Sequence, residues 1–177
     1  MQKINGWESV QESGSRKFLP AGGYICKIVD VKDEPQKQYM KIEYDIAQGE
    51  WKDYALTVES ERGWWPLTTV KSYKEKAIGF FKHFISSVEK SNNAFKWDWD
   101  ENKLVGKLVG VVIGEQEYEK KDGSIGTKMV ASDFMPVENI KKGQYKVPDI
   151  VKLKRSEPEP STDTDADDGD LPFDFGN

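Results

Sequence analysis

One cysteine and one histidine are all this chain holds of the two residue types most used for zinc ligation and nucleophilic catalysis. Cys26 alone cannot close an intrachain disulfide, and a lone thiol suits a reducing, cytoplasmic setting. With His83 it falls short of the usual zinc ligand set. His83 sits between Phe81 and Phe84 in a helical pattern, so it reads as a packing or surface residue and not as a general base. No run of about 18 apolar residues offers a membrane span. The opening Met-Gln-Lys-Ile-Asn-Gly-Trp-Glu lacks the apolar core of a secretory signal. These shortages argue against an enzyme and imply neither a metal nor a cofactor.

Three short motifs come close to known sites and fail on spacing. Asp163-Thr-Asp165-Ala-Asp167-Asp168-Gly169 resembles the start of a calcium loop, but its glycine comes one place late and no closing Glu follows. Gly123-Ser-Ile-Gly126 has the GXXG spacing of a backbone clamp, yet it lies in an expected β-hairpin and reads as a turn. Gly126-Thr127-Lys128 lacks the spacing of a phosphate-binding loop.

Basic residues are also missing from Glu157 to Asn177, a stretch with eight carboxylates. The whole chain has 26 basic and 31 acidic residues, net −5; without the tail the balance is 26 against 23, net +3. A mildly basic body is thus joined to a polyanion, an asymmetry that points to nucleic acid on one side and a separate tail function on the other. Acidic ends rich in Pro, Ser and Thr are common solubilising disorder, and that explains Glu157 to Asp170. It does not explain Leu171-Pro172-Phe173-Asp174-Phe175, because solubility gains nothing from exposed Phe.

Residues 1–19 read as a polar arm, 20–153 as one folded domain and 154–177 as a disordered acidic tail. Within the domain, Tyr24 to Val31 is β-rich. Tyr39 to Ala47 alternates cleanly, with Met40, Ile42, Tyr44 and Ile46 on a buried face and Tyr39, Lys41, Glu43 and Asp45 on a wet one. Trp51 to Val58 is expected as a third strand, with Tyr54, Leu56 and Val58 sharing one face. The period changes at Ser72, where Ser72-Tyr73-Lys74-Glu75 matches a capping box, and apolar residues from Tyr73 to Val88 recur at helical spacing. Ser91-Asn92-Asn93 ends that helix. A connector with Trp97 and Trp99 leads to a strand over Leu104–Tyr118, a turn at Lys120–Ser124, a strand over Gly126–Met135 and a short turn or helix from Val137.

The expected order, strand-strand-strand-helix-strand-strand, predicts a mainly β fold: an OB-fold-like, five-stranded barrel with one α-helix. In that fold the second and third strands and the loops joining strands 1–2 and 4–5 form the binding face. Aromatic and basic residues gather there, the combination that grips single strands by stacking and phosphate neutralisation. Lys37, Tyr39 and Lys41 mark the second strand, Trp51 the third, Arg62, Trp64, Trp65, Lys71 and Tyr73 the link to the helix, and Tyr118, Lys120, Lys121 and Lys128 the last hairpin. Each has a plainer role open to it: Trp64-Trp65-Pro66 as a barrel plug, Tyr73 as core, and the hairpin lysines as solvated charge. An exposed edge strand leaves a dimer or tetramer open.

The basic body, linker and Asp167-Asp168-Gly-Asp170-Leu171-Pro172-Phe173 tip resemble bacterial and phage single-stranded DNA-binding proteins, whose acidic tails end in a hydrophobic residue, Pro and Phe. Leu19-Pro-Ala-Gly-Gly-Tyr-Ile-Cys-Lys-Ile-Val-Asp-Val, Tyr39-Met-Lys-Ile-Glu-Tyr-Asp-Ile and Ser72-Tyr-Lys-Glu-Lys-Ala resemble small proteins of phages infecting Gram-positive bacteria, often found near replication and recombination functions. The first resemblance implies a protein that coats single-stranded DNA and recruits replication or recombination proteins through its tail, with Phe173 as the anchor. Here Asp174-Phe175-Gly176-Asn177 follow the usual terminal Phe. Either Asp174 replaces the terminal carboxylate, Phe175 is the anchor, or the partner differs. The rival expectation is an OB-like protein-interaction or recombination-accessory module that does not itself bind DNA.

Overall fold

The computed structural model describes Asn5 and residues 18–153; the rest of the arm and the tail with its Asp167–Phe175 tip lie outside the described residues. Five strands form one antiparallel sheet: β1 (Gly22–Glu34), β2 (Tyr39–Ile46), β3 (Thr68–Ser72), β4 (Leu108–Glu119) and β5 (Ile125–Met135). Helix α1 (Tyr54–Arg62) links β2 to β3, α2 (Ile78–Ser91) links β3 to β4, and the short α3 (Val137–Lys141) follows β5. The strand order is β3-β2-β1-β4-β5. β1 is the spine, pairing with β4 through its first half (Gly22 with Ile113 to Lys27 with Leu108) and with β2 through its second (Cys26 with Ile46 to Glu34 with Tyr39). Among the described residues no ladder joins the edge strands β3 and β5, and the sheet is not closed into a barrel.

The alternation in β2 sets the core. Met40, Ile42, Tyr44 and Ile46 are buried with Cys26, Ile28 and Val31 of β1, Val109, Val111 and Ile113 of β4, and Phe134 of β5. Helix α2 lays Phe81, Phe84, Ile85 and Val88 over them, the i, i+3, i+4, i+7 stripe of an amphipathic helix. Phe84 meets Phe134 edge to face at 5.2 Å, and Tyr44 meets the same ring at 6.1 Å. α2 touches both β3 and β5, so it bridges the two sheet edges. Burial raises the Cys26 thiol well above its ordinary range, which leaves it an inert core residue.

The segment from Trp51 to Val58 departs from its expected strand. It forms a turn and then α1, with Ala55 and Val58 buried at helical spacing and Leu56 exposed. The cause lies in β2. Asp45, expected on the wet face, is buried, and its carboxylate accepts hydrogen bonds from the amides of Ala55 (2.7 Å) and Leu56 (3.0 Å) in the first turn of α1. Those amides have no partner within a helix, so a carboxylate supplied from elsewhere in the chain substitutes for a local cap. Gly63, left-handed at φ 72°, ends the helix by donating to the Glu59 carbonyl. The third strand is Thr68–Ser72 instead.

The helix expected from Ser72 begins later. Ser72 pairs with Tyr39, and the Tyr73 amide donates to the Gln38 carbonyl, which keeps both residues extended. A 3-10 turn at Glu75–Ala77 then leads into α2 at Ile78. The stop at Asn92 agrees with expectation. Its side-chain amide donates to the carbonyls of Val88 and Leu108 and its oxygen accepts from the Leu108 amide, tying the helix end to β4.

Candidate nucleic-acid interface

The structure sorts the sequence-selected residues into three groups. The first is the outer face of β1, β2 and β3. Tyr39, Lys41 and Glu43 of β2 lie opposite Glu34, Lys32 and Asp30 of β1, and opposite Ser72, Val70 and Thr68 of β3. Lys41 and Tyr39 therefore stand on the solvent side, as their alternation requires. Their charges are spoken for: Lys41 donates to Glu43 at 2.6 Å, and Lys32 pairs with Glu34 at 3.3 Å. The Glu43 hydrogen bond raises the Lys41 ammonium above its ordinary range. Lys37, in the β1–β2 turn, points over the Tyr39 ring at 5.8 Å. Tyr73 packs edge-on against Phe81 and donates to Asp33 at 2.8 Å, so it is a half-buried brace at this end of the sheet.

The second group surrounds α1, and most of it is structural. The Trp65 indole donates to the carbonyls of Tyr44 and Leu67, both at 3.2 Å, and pins the α1–β3 link to β2. Trp51 is not on a strand; it is half-buried against Tyr54 and lines an open pocket of about 370 Å³ with Tyr24, Ile25 and Ile140. Trp64 is half exposed and Arg62 exposed, at the solvent end of α1. Lys71, on β3, does not face solvent: its ammonium lies 4.0 Å from the centre of the Phe134 ring, between the two sheet edges. Burial lowers its pKa, and Asp133 opposes that effect.

The third group is the β4–β5 hairpin. Tyr118 pairs with Gly126 and Gln116 with Lys128, so Tyr118, Lys120 and Lys128 share one face. A Cβ on Gly126 would lie 2.9 Å from the Tyr118 ring and 2.8 Å from the Lys120 stem, which shows both side chains lying over this glycine. Lys121 is exposed in the turn, closed by the Lys120 amide donating to the Ser124 carbonyl. Lys120, Lys121 and Lys128 have no ion-pair partner among the described residues. The period of two sends Glu115, Glu117 and Glu119 to the opposite face, so the hairpin is basic and aromatic on one side and acidic on the other.

These groups do not merge into one cleft. The Lys37 turn follows Glu34 at one end of β1, whereas β4 runs on past Gly22 to carry the Lys120 turn beyond the other end. Chain beyond α3 crosses the face that carries Tyr118 and then joins the hairpin's free edge: Tyr145 covers Gly23 and Pro148 covers Gly114 on that face, and Val151 pairs in parallel with Gln116. The Leu153 amide then donates to the Glu117 carboxylate at 3.2 Å. The chain is therefore at the hairpin where the described residues end.

Sequence reasoning passed over Trp97 and Trp99. Trp99 is 81 % exposed, and its tandem-Trp setting was the visible signal. His83 is exposed and lies 3.4 Å from Asp133. Among the described residues no three His, Cys, Asp or Glu side chains converge on a possible metal position, and no helix is long and apolar enough to cross a membrane. No protein-family model matches the chain, and no curated protein does either.

Proposed function

We propose that this chain is a sequence-independent single-stranded DNA-binding protein of phage type, without enzymatic activity, acting in replication or recombination. The observation that carries the reading is the outer face of the β4–β5 hairpin, where an accessible tyrosine ring lies between lysines that have no carboxylate partner among the described residues. Unpaired cations release counterions when they meet phosphates, and a ring face stacks on any base, so such a surface binds strands without reading sequence. The strand order supports it too: β3-β2-β1-β4-β5 with a helix between β3 and β4 is an OB-like arrangement left open between β3 and β5. Lys71 and α2 fill that seam.

On this reading the tail has two roles. Its tip, with Phe173 or Phe175 as anchor, recruits replication or recombination proteins. Its carboxylates, tethered a few residues beyond Leu153, compete with DNA for the hairpin at high effective concentration. Deleting residues 157–177 is expected to tighten binding at low salt and abolish recruitment.

The deciding experiment is fluorescence anisotropy of labelled oligo-dT with the full-length chain over a NaCl series. Saturable binding that weakens steeply with salt is expected. No rise in anisotropy at low salt, with or without the tail, rejects the proposal.

A further inference from the structure

The connector between α2 and β4 holds its most exposed aromatic side chain in a costly conformation. Trp99 is 81 % accessible and its φ is 69°, in the left-handed region that bulky residues avoid. Beneath it, Trp97 stacks at 6.1 Å in a tilted arrangement, and Trp97 meets Phe81 at 6.4 Å. The Trp97 indole N–H is buried with no acceptor among the described residues. A strained backbone and a buried donor without an acceptor among the described residues, two positions apart, are not what stability alone selects.

The surroundings hold that geometry firmly. The Trp97 amide donates to the Glu89 carboxylate, Lys103 bridges Asp98 and Asp100, and Asp100 accepts from the Asn102 amide. Phe95 and Leu104 anchor the two ends in the core. The result is a rigid tryptophan fringed by Asp98, Asp100 and Glu101, with Lys103 already occupied by two of them. Asp98, Asp100 and Glu101 against Lys96 and Lys103 leave the connector net −1, which disfavours phosphate and sets it apart from the basic hairpin.

We infer that the connector is a docking point for a cationic, arginine-bearing segment of a partner protein. A guanidinium stacks on an indole face and pairs with carboxylates at the same time, and rigid tryptophans are the residues most enriched where interfaces concentrate their affinity. The inference is independent of the DNA-binding reading and survives its failure.

Indole N–H resonances of the ¹⁵N-labelled full-length chain test it, because they report at the connector and ignore peptide captured by the acidic tail. The probes are acetyl-Gly-Arg-Gly-Arg-Gly-amide, its Gln-for-Arg counterpart and oligo-dT, with the Trp99 signal assigned by its loss in Trp99→Phe. The Arg peptide is expected to shift the Trp99 and Trp97 signals saturably, with a half-point at least tenfold below that of the Gln peptide. Glu101→Gln, which leaves the Lys103 bridge intact, is expected to raise that half-point about threefold, and Asp98→Asn with Asp100→Asn to raise it further. Equal response to the two peptides, no response to either, or a Trp99 shift with oligo-dT alone overturns the inference; the last would make the connector a nucleic-acid contact.

Discussion

Lys32 and Lys41 on the three-strand face, and Lys120 and Lys128 on the hairpin, occupy like positions on the outer sides of antiparallel strands, yet their electrostatics differ. On the first surface each lysine has a glutamate two residues along its own strand, and alternation brings that glutamate to the same side: Glu34 for Lys32, Glu43 for Lys41. On the hairpin the glutamates sit at odd spacing from Tyr118 and Lys120, so the same alternation carries them to the other side. Whether a β-surface is neutral or basic thus depends on the parity of charge spacing, not on how many lysines it holds. Lys41 already has its counterion on its own strand, whereas Lys120 has none among the described residues, so a phosphate arriving there breaks no ion pair within the sheet.

Neutralising the hairpin is the largest perturbation of that contrast. Lys120→Gln, Lys121→Gln and Lys128→Gln together are expected to weaken oligo-dT binding by one to two orders of magnitude at low salt. They should also flatten the log–log salt slope by about 2, at roughly 0.7 per lost phosphate contact. Lys32→Gln with Lys41→Gln should change affinity by less than about threefold. Equal losses from the two sets, measured by anisotropy, would erase the distinction between the surfaces.

The three-strand face is further set apart because α1 covers its far end and draws Asp45 inward. Asp45→Ala leaves two amides of α1 and the Ile46 amide without their acceptor. It is expected to cost roughly 2–4 kcal/mol in denaturant unfolding while leaving oligo-dT affinity of the folded protein unchanged. A cost below about 1 kcal/mol would mean that water replaces the carboxylate and that α1 stands on its own packing.

The same residue marks the limit of what the sequence discloses. The β2 core face and the α2 stripe are written in local periodicity, and both are present in the structure. The Asp45 contact joins positions ten residues apart and is invisible to any local pattern, so Tyr54, Leu56 and Val58 resemble a strand. Gly63 behind Arg62 was the one local sign of a helix end there. Among the binding candidates, alternation placed Tyr39 and Lys41 on the outer face. Composition could not tell that Trp65 spends its indole N–H on two backbone carbonyls, or that Lys71 turns inward onto Phe134.

Tyr118→Ala isolates the ring from the charges. Stacking on one base is worth roughly 1–3 kcal/mol by substitution, so affinity should fall about tenfold while the salt slope stays constant. Tyr118→Phe should bind like the parent, because the face and not the hydroxyl makes the contact. A changed salt slope in Tyr118→Ala would show instead that the ring only props the Lys120 stem over Gly126.

The smallest effect separates the two ends of the sheet by pH. Tyr24, on the β1 half that pairs with β4, donates to the Pro20 carbonyl at 2.7 Å, and burial raises its pKa from 10.0 to about 12. The folded chain keeps this proton after the unfolded chain has lost it. Its contribution to stability is therefore complete below pH 10 and is lost as pH rises toward 12. Lys71, in the β3–β5 seam, has the opposite sign. Burial lowers its pKa, so the folded state gives up the proton first, and the penalty of a buried ammonium fades as pH approaches 10.5. Guanidinium midpoints at pH 8, 10, 11 and 12 should then fall less steeply in Tyr24→Phe than in the parent. In Lys71→Met the small offsetting gain should vanish, so the fall steepens. Parallel curves for all three proteins would show that neither group titrates differently on folding, and that the two ends of the sheet respond alike to alkali.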